Sequence, residues 1–309
     1  MEVSAATVMP LFLGLIGLAP MLLLAGLILV WKRWFRNRHR RSPLTSDLSR
    51  PAGYGLLERI EELNLDLDGY LFGMSFVTPY FVTWYLYESL TRPEQMSSLR
   101  LALVGGSLAL ILAYLLWKGL QLVIRRQKYR EALDGELATA QLLEPVIAGG
   151  GRLLHDIQAP GFNIDHVVIA PGGVFAIETK HRLKSTQGKG LDQAKVTFDG
   201  QALRFPDWTE TKPVEQARAQ ARWLSERLTR STGLEVVARP VIALPGWFVQ
   251  NTTRSDVIAI NPKGCQFMLK SRTGEAPLTP DAIQRISFQV GQLCRMPEPG
   301  GASGPGPTN

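Results

Sequence analysis

The sequence predicts an α/β domain preceded by three transmembrane helices, and three observations carry that reading. The first 130 residues contain three long uncharged stretches. Residues 131–295 alternate helical and strand-like apolar patterns. Residues 164–180 read as two β-branched apolar runs folded about Pro171-Gly172-Gly173. The 309 residues are 45% hydrophobic, which fits either one large soluble protein or an anchor plus a domain, and the uneven distribution selects the second.

The first element is an apolar stretch over residues 3–31, rich in Leu, Ile, Val and Ala and without a charged side chain. It is long enough for a hydrocarbon core of roughly 30 Å. Only Glu2 precedes it, while Lys32, Arg33, Arg36, Arg38, Arg40 and Arg41 follow, which is the reverse of a signal peptide's charge order. The basic flank predicts a cytoplasmic end and an outer N-terminus.

The second stretch, residues 69–87, is aromatic-rich and includes Pro79, so its hydropathy is less decisive. The third, residues 101–117 continuing through 124, ends against Arg125, Arg126, Lys128 and Arg130. Two basic flanks on one side require an even number of crossings between them, which predicts a helical hairpin with an outer loop over residues 88–100.

The predicted organisation is therefore a first span with its basic flank over residues 1–41, a cytoplasmic surface linker over 42–68, a transmembrane hairpin over 69–130, a soluble domain over 131–295 and a Pro/Gly-rich disordered tail over 296–309. Within the linker, residues 56–63 carry an amphipathic helical pattern. The expected location is a bacterial-type inner membrane, multi-pass, with the soluble domain in the cytoplasm. The lipid bilayer is then one partner.

Net charge is +7, but residues 32–41 hold six Lys/Arg and residues 118–130 hold five. Residues 131–295 hold 19 Lys/Arg against 17 Asp/Glu, a balance of only +2. The basicity thus sets membrane orientation and is not evidence for a nucleic-acid footprint, which would need a local basic groove. Cys265 and Cys294 are too few and too far apart for a zinc motif.

The soluble domain opens with a helix predicted over residues 129–147, whose stripe Leu133, Glu136, Ala140, Leu143, Ile147 has the spacing of a buried face. Glu136 interrupts that stripe, either as a partly exposed edge position or as an acid aimed at a site. Gly149-Gly150-Gly151 follows a helix and precedes a strand over 153–157, the wrong order for a phosphate-cradling loop. A polar, basic loop over 181–190 follows the central hairpin, then a smaller hairpin over 196–205 about Asp199-Gly200. A helix over 213–229 presents Val214, Ala217, Ala221, Leu224 and Leu228 on one face, with Gln216 and Gln220 at its border. Strands over 236–244 and 257–260 and a helix over 281–294 complete the domain.

The hairpin over 164–180 is the chemical centre. With Pro171 and Gly172 as the two turn residues, Ala170 faces Gly173 and Asp165 falls opposite Glu178, their Cβ atoms roughly 4.5–5.5 Å apart. Alternation puts Lys180 on the face of Glu178 and turns His166 and His181 away from it. A bulge would shift this register by one. Two carboxylates can hold Mg²⁺ or Mn²⁺, and a lysine beside them can orient water and offset transition-state charge. A sheet edge with an ordinary Glu-Lys pair has the same spacing.

The run Ile164-Asp165-His166-Val167-Val168-Ile169, Pro171-Gly172-Gly173-Val174-Phe175 and Ile177-Glu178-Thr179-Lys180 resembles the nuclease-related domain, or NERD, family. Gly135-Glu136 and Lys212-Pro213-Val214-Glu215-Gln216, with Lys where the family has Asn, extend the likeness over residues 131–260. The resemblance implies a restriction-endonuclease-like core, a mixed sheet flanked by helices. It also implies a metal-dependent phosphodiester hydrolase using Mg²⁺ (or Mn²⁺), with nucleic acid as substrate and DNA ranked ahead of RNA. On that likeness Asp165, Glu178 and Glu136 are metal ligands, Lys180 completes the catalytic set and Gln216 supports it. The alternative is an inactive domain that keeps the fold and tethers nucleic acid or a protein to the membrane.

Overall fold

The computed structural model describes residues 48–185 and 191–295, together with residues 26, 27 and 30. It divides into two compact units: Met1–Pro43 with Glu61–Gln127, and Leu44–Ile60 with Lys128–Asn309.

The described residues of the first unit are mostly helical. Helix α1 (Tyr54–Thr91) carries Pro79 inside it, a short 3-10 turn follows at Pro93–Gln95, and α2 (Ser98–Ala148) runs on as a single helix. The Arg100 guanidinium lies 3.3 Å from Glu88 and 5.7 Å from the Trp84 ring centroid. Among the described residues only α2 is long and apolar enough to cross a membrane. Three transmembrane helices are therefore not what the described residues show. The stretch 69–87 is helical, but its aromatics and polar residues keep it below the apolarity of a span, and the predicted span over 3–31 lies almost wholly outside the described residues. The tail over 296–309 also lies outside them.

The second unit is a mixed sheet flanked by helices. Its strands are β1 (Arg152–Ala159), β2 (Phe162–Ala170), β3 (Gly173–Thr179), β7 (Ala238–Ala243) and β9 (Ile258–Ile260), in spatial order β1-β2-β3-β7-β9. β3 is central: it pairs antiparallel with β2 and parallel with β7. A smaller sheet joins β4 (Lys195–Phe198), β5 (Leu203–Arg204), β6 (Thr209–Glu210) and β8 (Phe248–Asn251) in the order β6-β5-β4-β8. β8 carries neither an alternating nor a continuous apolar pattern and is exposed or half-buried throughout, so periodicity does not reveal it.

Each face of the main sheet is covered because its strands are buried on both sides. Ile164, Val167, Ile169, Val174 and Ala176 pack with α3 (Lys212–Thr232) and α4 (Pro280–Gly291), through side chains such as Leu224, Leu228, Ile286 and Val290. Val168, Ala170, Phe175 and Ile177 pack on the opposite face against Leu143 and Val146 of α2 and Cys265 and Met268 of a 3-10 segment (Pro262–Leu269). Within the second unit the buried face of α2 includes Glu136, Thr139, Leu143 and Val146, so Val146 replaces the expected Ile147, which is 47% exposed.

The residues assigned to a surface linker belong in part to this domain. Ser49 bridges to Arg295, the Arg50 N–H donates to the Cys294 carbonyl at 2.7 Å, and Ala52 is buried. The amphipathic pattern at residues 56–63 lies in the first turns of α1. What the sequence presents as a polar connection is an ordered strap, because its main contacts are to residues more than a hundred positions away.

Candidate active site

The hairpin register is the one the two-residue turn demands: Ala170 faces Gly173, Ile169 faces Val174 and His166 faces Ile177. Pro171 holds its own φ negative, so the positive φ falls on Gly173, at 129°. The Gly172 N–H donates to the Met268 carbonyl at 3.0 Å and fixes the turn to the 3-10 segment.

Regular pairing stops where the acids begin. The β2–β3 ladder ends at His166 and Ile177, and the β1–β2 ladder skips the position where Asp156 and Asp165 would meet, Asp156 having a φ of 49°. Side chains complete the broken ladder. The Thr179 N–H, facing β2, donates to the Asp165 carboxylate at 2.7 Å, and the Gln220 side-chain amide donates to the Asn163 carbonyl at 3.0 Å. Buried backbone groups need such partners, so the local irregularity holds Asp165 in place.

Glu178 lies beside Asp165 and is 3% exposed. The Lys180 ammonium donates to its Oε1 at 2.5 Å, and Gln220 Nε2 donates to its Oε2 at 2.5 Å. The same Lys180 ammonium reaches Gln216 Oε1 at 3.2 Å. Gln216 and Gln220 are four residues apart on α3 and therefore share one face of the helix. Gln216 is where the sequence places it. Gln220, which the sequence places with Gln216 at the border of the same helix face, is the more buried partner at 1% exposure.

Glu136 reaches this cluster from α2 because Gly135 lets the helix approach the end of β3. A Cβ at Gly135 would collide with the Cβ of His181. The Gly53 N–H of the strap donates to Glu136. Burial, then the charges of Asp156 and Glu178, push the Glu136 carboxyl up to about 7. Burial, then Glu178 and Glu136, hold Asp165 well above the usual carboxylate range, against the Thr179 N–H and Lys180, which lower it. Asp156, 1% exposed, receives Arg50 at 3.0 Å and Asn163 at 2.9 Å. Sequence reasoning passed over Asp156 and Arg50; only the register that sets Asp156 against Asp165 points to the former.

His166 turns to the other face, as alternation requires. Its Nδ1 lies 2.8 Å from Nδ1 of His155, and burial lowers both imidazole pKa values. His181 Nδ1 is 2.6 Å from the Glu131 carbonyl.

Hard carboxylate oxygens set close together suit a hard divalent cation. Among the described residues, however, no group of three or more His, Cys, Asp or Glu stands ready to hold a metal. A cation here would rest on Asp165 and Glu178, with water and substrate oxygens completing its shell, as Mg²⁺ commonly does.

Residues 132–245 match the model of the nuclease-related domain. The chain therefore carries a NERD domain, which runs from the last turns of α2 through β7 and contains Glu136, Asp165, Glu178, Lys180, Gln216 and Gln220. Comparison with curated proteins and with solved structures gave no match.

Proposed function

We propose that this protein is a membrane-anchored, divalent-metal-dependent nuclease whose catalytic domain acts on nucleic acid at the cytoplasmic face. The observation that carries the reading is the buried junction of Asp165, Glu178 and Lys180 inside a nuclease-related domain, with Lys180 2.5 Å from Glu178. A Mg²⁺ or Mn²⁺ held by Asp165 and Glu178 would polarise a phosphoryl oxygen and lower the pKa of the attacking water. Lys180, held by Gln216, orients that water and offsets the charge that develops on the phosphoryl oxygens. Glu136, whose carboxyl titrates near neutrality, takes a proton from it. The water oxygen bonds to phosphorus, one P–O ester bond breaks, and a proton ends on the leaving oxygen.

Anchoring rests on α2 and on the basic flanks at 32–41 and 118–130, which support a three-span arrangement with the N-terminus outside, in an inner membrane of bacterial type. DNA stands ahead of RNA as substrate on the family likeness alone.

The test is cleavage of single- and double-stranded DNA and RNA by the detergent-solubilised full chain, with Mg²⁺ and with chelator. Glu178→Gln and Lys180→Met should each lower the rate at least about a hundredfold while the melting temperature holds, since both keep side-chain volume and remove the charge chemistry. Undiminished cleavage by Glu178→Gln would overturn the assignment. One observation favours a second reading, a non-catalytic tether: Lys180 and Gln220 already occupy both Glu178 oxygens. That reading expects nucleic-acid binding without cleavage under any metal condition.

A further inference from the structure

The residues that hold the acids lie on a face of α3 that continues beyond them. Gln216, Gln220, Trp223, Arg227 and Arg230 follow spacings of 4, 3, 4 and 3, which keeps them on one stripe of the helix. Gln216 bonds Lys180 and Gln220 bonds Glu178 and the Asn163 carbonyl. One turn on, Trp223 packs edge-to-face with Phe162, the neighbour of Asn163, with ring centroids 5.7 Å apart. Trp223, Arg227 and Arg230, with Glu226 between the arginines and Trp223, then line an open cleft of about 340 Å³ bounded by Pro160 of the β1–β2 turn and by Leu293.

Charge on this helix differs from that of the domain. Helix α3 carries five Lys/Arg against two Asp/Glu, a surplus of 5 − 2 = 3, whereas residues 131–295 carry 19 − 17 = 2 in all. Arg230 pairs with Glu226 at 3.0 Å, with both side chains exposed, so that pair is readily exchanged for a stronger anion. Arg227 is exposed and pairs with no carboxylate among the described residues.

We propose that this cleft is a subsite for single-stranded nucleic acid, with Trp223 as a platform for a base and Arg227 and Arg230 as contacts to backbone phosphates. An aromatic platform beside exposed guanidinium groups, one of them held only by an exchangeable surface pair, is the chemistry that holds single strands. Distance fits the same chain of contacts. From Gln220 to Arg227 and Arg230 the helix rises roughly 10 and 15 Å. At about 3.4 Å per nucleotide along a stacked strand, the arginines meet phosphates about three to four nucleotides from a phosphodiester held at the acids. The subsite extends the proposed nuclease function, and it is tested without cleavage.

The probe is a fluorescent single-stranded oligodeoxynucleotide of about twelve nucleotides, within the span such surfaces cover. It is titrated by anisotropy into the detergent-solubilised full chain in chelator, over a range of salt. The Arg227→Ala/Arg230→Ala variant should bind at least about tenfold more weakly, and the slope of log affinity against log salt should shrink by about 1.4, the loss of two single-strand phosphate contacts. Trp223→Leu should weaken binding at least about fivefold with the slope unchanged, and Trp223→Phe should restore much of it. Neither arginine replacement touches the core, so the melting temperature should hold. Unchanged affinity and slope in the arginine variant overturn the subsite, as does a wild type that does not bind. Cleavage that persists while the arginine variant binds normally removes the subsite and leaves the nuclease reading. Arginine-dependent binding by a wild type that cleaves nothing establishes the subsite and removes the nuclease reading.

Discussion

Glu136 shows what a single carboxyl costs when placed among others. Its pKa, raised from 4.5 to about 7 by burial and by Asp156 and Glu178, means that between these values the folded protein holds a proton the unfolded chain has already released. Its contribution to stability is therefore whole below about pH 4.5 and is lost as pH rises through about 7. His155 and His166 act oppositely: their folded pKa values lie below 6.5, so stability rises with pH up to that value. A Glu136→Gln variant isolates the first effect, because the histidines remain in both proteins. In chelator, the difference in stability between the variant and wild type should grow in the variant's favour from pH 4.5 to 8, reaching at most about 3 kcal/mol. Denaturant melts at several pH values would show it, and parallel curves would mean that the Glu136 carboxyl is not under the field of its neighbours.

Among the elements, the strap before α1 and the β1–β2 pair depend on each other. Arg50 and Asp156 form an ion pair with side chains 14% and 2% exposed, and the positive φ of Asp156 aims its carboxylate out of the ladder toward that partner. Removing one member of a buried pair leaves an uncompensated charge, which costs about 3–5 kcal/mol. Arg50→Met should therefore lower the melting temperature of the nuclease-related domain strongly, and adding Asp156→Asn should recover part of the loss. Calorimetry of the three variants would measure the coupling, and simple additivity would show that the pair contributes nothing beyond its separate members. A fragment beginning at Tyr129 should behave like Arg50→Met for the same reason, since it lacks both Arg50 and the Gly53 N–H that Glu136 accepts.

At the scale of the whole chain, the proposed topology rests on the two basic flanks and on α2. In the proposed topology the positive residues at 32–41 and 118–130 stay on the cytoplasmic side, and the segment between them then crosses an even number of times or not at all. Reporters fused after Arg41 and after Arg130 should both give cytoplasmic signals, and one fused near Pro93 an outer one. A cytoplasmic signal at Pro93 would remove the hairpin and leave α1 as a helix of the cytoplasmic side. That result would be consistent with the lower apolarity of residues 69–87, while leaving the chemistry of Asp165 and Glu178 untouched.

The acid, acid, lysine order and the hairpin register were legible in the sequence because both are local. A strand has a period of two, and Pro171-Gly172 admits a two-residue turn, so Asp165, Glu178 and Lys180 are neighbours from spacing alone. Gln216 was legible through the family-like helix start at residues 212–216, the strands through their β-branched runs, and the mixed sheet through the family resemblance. Contacts between distant segments were not. Periodicity does not say that α2 would bury Val146 in place of Ile147, that Gln220 would be the closer partner of Glu178, or that residues read as a linker would bind Asp156 through Arg50. Local patterns record which face of an element is apolar, whereas the partner of a buried charge is set by the tertiary packing that removes water from around it. The sequence by itself determined the acid, acid, lysine set of the candidate site, and only the folded domain decided which amides and guanidinium groups surround it.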